Sequence, residues 1–233
     1  MSPPSRGRHE NHYGGRSAAT RGVHSSALFL GEVQRGAGIF VGPFAVIGAT
    51  YRRVAGEPLP ARQITRLGDR CEVGPHARVL RGSHIGKRVS VDGGCTVEQD
   101  VDVGDDSRLI YHCIVCNSVR IGRHAIIGGF IGERSRVGDY CRVFGQLVHR
   151  QDDPAVPWDD QEEDPPTLED HVLVGFGAII IGGVTVGSRS CISAGAVVTR
   201  NVPRGSIVSG TNQIVHYSDC PWRVARSAWF SDE

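Results

Sequence analysis

From Leu67 onward an aliphatic residue stands at every sixth position: Val73, Val79, Ile85, Val91, Val97, Val103, Leu109, Val115, Ile121 and Ile127 follow without a miss. A period of six fits neither the 3.6-residue turn of a helix nor the simple alternation of a long strand. Sustained over sixty residues, it predicts a solenoid in which three short strands make one triangular coil of 18 residues. The residue two places before each aliphatic is small or apolar as well: Cys71, Ala77, Ser83, Val89, Cys95, Val101, Ser107, Cys113, Val119 and Ala125. Side chains two apart in an extended segment share a face, so both positions are expected to fill the prism. Gly68, Gly74, Gly86, Gly104 and Gly122 directly follow an aliphatic, and a tight corner is the expected reason for them.

The pattern also marks where the coil is interrupted. It begins near Leu28 and breaks at 52–66, a Pro-containing stretch expected to be a loop. The register slips between Ile127 and Ile131, then resumes through Val137 and Val143, so that the next place in the count falls on His149. There the repeat stops for an acidic insertion, 150–167, before restarting at Leu168 and running through Val174, Ile180, Val186, Ile192 and Val198. Gly205 to Gly210 reads as a last partial coil, and 221–233 as a short helical cap on a solenoid domain of 27–220. Residues 1–26 are rich in Gly, Ser and Arg, have no period, and read as a disordered tail.

Thirty-one glycines and 6% aromatics among 233 residues suit a solenoid of stacked aliphatics better than an ordinary globular core. A net charge of +1 gives no broad attraction for nucleic acid or membrane. Seven cysteines show no paired framework, and Cys71, Cys95, Cys113 and Cys141 fall on the small inward position, where a reduced thiol packs as a small hydrophobe. With no apolar run long enough for a membrane span or a signal peptide, the expected location is the cytoplasm.

Candidate chemistry gathers at the second break. Insertions in repeat proteins sit on one face, often the binding face. His149 ends a coil there, and Asp152, Asp153, Asp159, Asp160, Glu162, Glu163 and Asp164 surround Trp158 just beyond it. His76 and His112 hold the same place two coils apart, about 9.6 Å at the strand spacing, too far to share one metal ion directly.

The segment LEDHVLVGFGAIIIGGVTVGSRSCISAGAVVTRNVPRGSIVSG, 168–210, with His149 and the polar loop ahead of it, resembles the hexapeptide-repeat acyltransferases. The likeness is nearest to the branch of galactoside, maltose and xenobiotic acetyltransferases and covers roughly 140–210. It implies an all-β, left-handed parallel β-helix assembled as a homotrimer, with acetyl-CoA or another acyl-CoA as co-substrate. His149 then matches the general base that takes a proton from the attacking amine or hydroxyl, while a backbone amide steadies the oxyanion. Coenzyme A, lying in a groove between subunits, would contact Phe176, Gly177, Ala178, Ser193 and Ala194, with Arg200 and Arg204 available to its phosphates. His112 and Asn117 are expected to line the acceptor cleft. Asp152 and Asp153 would draw a cationic acceptor, and Trp158 would stack on a sugar. The family's Gly-Asn-Pro-Ala-Lys segment is replaced by Gly210-Thr211-Asn212-Gln213-Ile214, so the adenine end is expected to be held differently. Two other functions suit the same solenoid: a metal-dependent enzyme like the gamma-class carbonic anhydrases, and a non-catalytic trimeric scaffold.

Overall fold

The computed structural model describes residues 22–50, 62–150 and 164–219. Three parallel sheets wall a triangular prism, and each coil visits them in turn. Sheet I runs from Phe40–Val41 to Ser206–Ser209, sheet II from Leu28–Phe29 to Val197–Val198, and sheet III from Glu32–Arg35 to Thr185–Val186. Most strands are two residues long, and each pairs with its equivalent one coil away: Thr96 with Ile114 and Val97 with Val115, for example. The described chain closes on an antiparallel hairpin between Ser206–Ser209 and Gln213–His216, followed by a short 3-10 turn at Tyr217–Asp219. Ile64–Leu67 pairs with Glu32–Arg35, so the coil resumes inside the stretch expected to be loop. At the other end of the chain, Val23 bridges Val41. The cap expected at 221–233 lies outside the described residues.

The inward positions are those the period marks. Val73, Val79, Val97, Leu109, Val115 and Ile127 are fully buried, and so are Cys71, Ala77, Cys95 and Val101. Ser107 and Ser83 tolerate this interior because their hydroxyls bridge coils. Ser107 Oγ donates to the Gly122 carbonyl at 2.9 Å and accepts the Ala125 N–H at 3.0 Å; Ser83 does the same toward Glu98 and Val101. A buried hydroxyl satisfied on both sides costs little.

The corners correct one expectation. Gly68, Gly74, Gly86, Gly104 and Gly122 do not have positive φ. What excludes a side chain there is the next coil: a Cβ on Gly104 would lie 2.6 Å from the Gly122 carbonyl carbon, and one on Gly122 would lie 2.6 Å from the Asp139 nitrogen. The left-handed turn falls three residues after the aliphatic, on Arg70, His76, Arg88, Asp106 and His124, all with φ between 56° and 62°. Such non-glycine residues cost roughly 1–2 kcal/mol each, and coil-to-coil hydrogen bonds hold them, as His124 N–H to Asp105 O at 3.0 Å illustrates.

A second correction concerns register. After Val143 the chain takes another four-residue step, through Phe144-Gly145-Gln146, and Leu147 is the buried aliphatic. His149 therefore stands two residues past the core position, on a corner of the prism. The two short corners, Gly128-Gly129 and Phe144-Gly145, fall on consecutive coils of the same edge, between sheets I and II.

Burial holds two of the inward thiols protonated: Cys71 and Cys141 are each pushed up to about 12. Their acid form is favoured by the folded state, so the sign runs against high pH. Above the ordinary thiol value of 9.0 the unfolded chain loses protons that the folded chain keeps. Stability is expected to fall between roughly pH 9 and 12, by up to about 1.4 kcal/mol per pH unit for each such thiol. Urea midpoints measured at pH 8 and pH 10 check this, with a Cys71→Ala, Cys141→Ala double variant expected to flatten the slope.

Candidate functional site on the prism edges

The corner between sheets II and III carries one residue per coil in a vertical column. Two places beyond each sheet II aliphatic stand Arg81, Gln99, Asn117, Glu133, His149, Gly182 and Arg200. Polar contacts run up it. Thr50 Oγ1 donates to Gln99 Oε1 at 2.6 Å, the Gln99 N–H donates to Asn117 Oδ1 at 3.0 Å, and Asn117 Nδ2 donates to Glu133 Oε1 at 3.3 Å. Glu98 joins from beside the column by accepting the Asn117 N–H at 3.1 Å.

At its centre His149 is half-buried, and its Nε2 donates to the Glu133 carbonyl at 2.9 Å. A carbonyl only accepts, so Nε2 carries the proton and the neutral ring has Nδ1 as its basic nitrogen. The ring lies against Gly132, where an added Cβ would meet His149 Cδ2 at 3.3 Å. One coil above His149 the column holds Gly182, at φ 77°, and one coil higher stands the exposed Arg200. Two coil rises separate His149 from Arg200, about 10 Å at the strand spacing. Arg200 Nη2 donates to the Asn212 carbonyl at 2.8 Å, which leaves most of its guanidinium donors facing outward.

The other anticipated residues divide among the edges. Asn117, His149 and Arg200 share this one. His112 is on the sheet I–sheet II edge with Phe176, Gly177, Ser193 and Ala194, and Arg204 is on the third edge. One chain thus does not bring His112 beside His149. Phe176 and Ala194 are exposed, and Gly177 and Gly195 have open space where a Cβ would be, so the upper part of the sheet I–sheet II edge offers bare backbone to a ligand. Ala178 does not belong to that surface. Its side chain is fully buried at the small inward position, and its carbonyl accepts the Gln146 N–H at 2.8 Å. Asp152, Asp153 and Trp158 lie outside the described residues.

Glu133, Glu98 and Gln99 were not anticipated. Counting two places past each sheet II aliphatic finds Gln99 and Glu133, but only the second four-residue step puts His149 in the same column. Among the described residues no group of three or more His, Cys, Asp or Glu side chains is placed to hold a metal ion. Nor, among the described residues, is any helix long and apolar enough to cross a membrane.

Three parallel sheets, an 18-residue coil and single polar residues projecting from the corners define a β-helix of hexapeptide repeats. Residues 165–200 match the family described as bacterial transferase hexapeptide (six repeats), and the chain is similar to hexapeptide-repeat acyltransferases. It is 28% identical over 167 residues to the bifunctional protein GlmU of Streptomyces avermitilis, covering 64% of this chain and 33% of that protein. The chain thus spans about a third of the length of that relative. Over 47 residues, 20% of each chain, it is 49% identical to the 2,3,4,5-tetrahydropyridine-2,6-dicarboxylate N-acetyltransferase of Staphylococcus aureus. Among solved structures, the UDP-N-acetylglucosamine acyltransferase of Francisella novicida superposes with a TM-score of 0.58 at 16% identity, over 81% of this chain and 66% of that one. That likeness establishes the left-handed β-helix.

Proposed function

We propose that this chain transfers an acyl group, acetyl in the simplest case, from coenzyme A to the amine or hydroxyl of a small sugar-like or cationic acceptor. The observation that carries the reading is the column on the sheet II–sheet III edge. There an imidazole is oriented by a backbone carbonyl, with a glycine one coil above it and an exposed arginine one coil higher. The acceptor N–H or O–H attacks the thioester carbonyl while His149 Nδ1 takes its proton. The C–S bond then breaks, and the proton passes to the departing coenzyme A sulfur. Arg200 pairs with a phosphate of the donor. The metal-dependent and scaffold alternatives lack a comparable supporting arrangement.

The division of residues between edges supports an oligomeric site. The oriented base is on one edge and the open, small-residue edge is another, so one copy's His149 would work against a neighbour's Phe176, Gly177, Ser193 and Ala194. A homotrimer in the cytoplasm, closed by threefold symmetry, gives three such sites.

Calorimetric titration with coenzyme A and acetyl-CoA tests the donor. Micromolar binding is expected, weakened roughly tenfold by Arg200→Ala and lost in Ala194→Trp, which fills the open edge. No binding of either ligand would leave the scaffold reading in its place.

A further inference from the structure

Below the upper sheet I–sheet II edge, the corners at Gly128-Gly129 and Phe144-Gly145 each lack two residues of the usual six-residue step, so the edge is set back there in a shallow recess. Tyr111 stands at its lower rim and Phe176 at its upper rim. Their strands are three coils apart, about 14 Å at the strand spacing, yet their ring centroids are 6.1 Å apart. The two side chains therefore lean toward each other across the recess. Phe144 completes a triangle of rings, stacked on Phe176 at 4.8 Å and 15° and 6.4 Å from Tyr111.

Neighbouring glycines make room for this arrangement. A Cβ on Gly128 would meet Tyr111 Cδ2 at 2.9 Å and Phe144 Cδ1 at 3.1 Å, and a Cβ on Gly94 would collide with the His112 ring. Tyr111 and His112 both have positive φ, 57° and 54°, the only consecutive pair among the described residues. Local strain of this kind persists where the surroundings over-determine it, often at a ligand site. In spite of the packing, Tyr111 is 64% exposed and Phe176 59% exposed, and Ile114 and Phe130 continue the apolar surface onto sheet II. Grouped apolar rings left in water mark a place that something apolar covers.

We propose that the recess binds the acyl chain of the donor and that its natural chain is longer than acetyl. This rests on the coenzyme A reading above, because it is continuity with the donor edge that selects the occupant. Phe176 belongs to both surfaces, and Gly177, Ser193 and Ala194 continue upward from it on the same edge. A thioester held at Phe176 with its cofactor arm directed upward has its acyl chain directed down, over Phe144 toward Tyr111. Three carbocyclic rings supply the lining. An aliphatic or aromatic acyl group fits such a lining, and a charged or polyhydroxylated one does not.

The test is a chain-length series of coenzyme A, acetyl-CoA, butyryl-CoA and hexanoyl-CoA, titrated by calorimetry against the full-length protein. Each added CH2 that leaves water is expected to tighten binding roughly fourfold until the recess is full. In Phe144→Ala the ratio of hexanoyl-CoA to acetyl-CoA affinity should collapse toward one. Gly128→Ala, which removes no ring but displaces Tyr111 and Phe144, should reduce the same ratio and guards against a variant that merely fails to fold. Binding of coenzyme A and acetyl-CoA with no gain along the series would overturn the inference while the donor reading stands, and the rings would then face another copy of this chain. Failure of coenzyme A itself to bind would remove both. An unaltered chain-length gain in both variants would place the acyl chain elsewhere and also overturn it.

Discussion

Replacing His149 by Ala is expected to lower kcat/KM for acyl transfer by about 10²–10⁴-fold, with the chain still folded and still able to bind coenzyme A. The size follows from what the ring does. An acceptor amine or hydroxyl is a poor nucleophile until its proton has somewhere to go, and Nδ1 of a ring anchored through Nε2 provides that place at the right orientation. Release of free thiol from acetyl-CoA, followed against a panel of amines and sugars, gives the readout. His149→Gln is the companion variant. It can keep the hydrogen bond to the Glu133 carbonyl but cannot accept a proton, so it should be as inactive as Ala. Activity retained in both variants would remove His149 from the chemistry. Retention in Gln alone would make it a positioning group.

The second large effect is on stability and separates two kinds of glycine. Gly104→Ala is expected to cost about 2–3 kcal/mol or more, because its Cβ would lie 2.6 Å from backbone carbon of the next coil and neither strand can yield without breaking the ladder. Gly195→Ala should cost only about 1 kcal/mol: its φ is 71°, but nothing lies within 4 Å of the added carbon. Urea denaturation of the two variants beside the parent checks the order. A larger loss at Gly195 would mean that turn strain, and not coil spacing, limits this fold.

These two glycines also show where the sequence is an incomplete guide. The spacing of aliphatics is visible because every sixth residue must enter the prism, and that alone predicts the three sheets and the inward positions of Cys71, Ala77 and Ser83. Glycine after the aliphatic suggests a backbone turn, whereas its cause is a contact with a residue about 18 positions away, invisible to local reasoning. The left-handed turn itself is occupied by Arg70, His76 and Asp106, residues that carry no glycine signal; the ladder on both sides imposes the conformation.

The site was legible to a similar degree. The end of a coil and the start of an insertion single out His149, and the later coils single out the small residues of the upper edge. The count past Val143, however, assumes a six-residue step and so puts His149 in a core place; the actual four-residue step moves it to a corner beside Glu133. The same missing two residues hide the recess, since Phe144 reads as an ordinary corner residue. Ala178 was assigned by likeness to a ligand surface although its own hexad places it inward, and the hexad is the better guide. His112 and Asn117, only five residues apart, stand on different edges because the sheet II strand Ile114–Val115 lies between them.

The claim that the working site is shared between copies can be tested by complementation. His149→Ala lacks the base and Ala194→Trp lacks the open donor edge, so each alone is expected to be inactive. Co-expressed with different tags and isolated as mixed oligomers, the two should regain about a third of parental activity, because in a trimer of either mixed composition one site in three unites an intact base with a neighbour's intact donor edge. Mixed oligomers that form and stay inactive would contradict a site built from two chains.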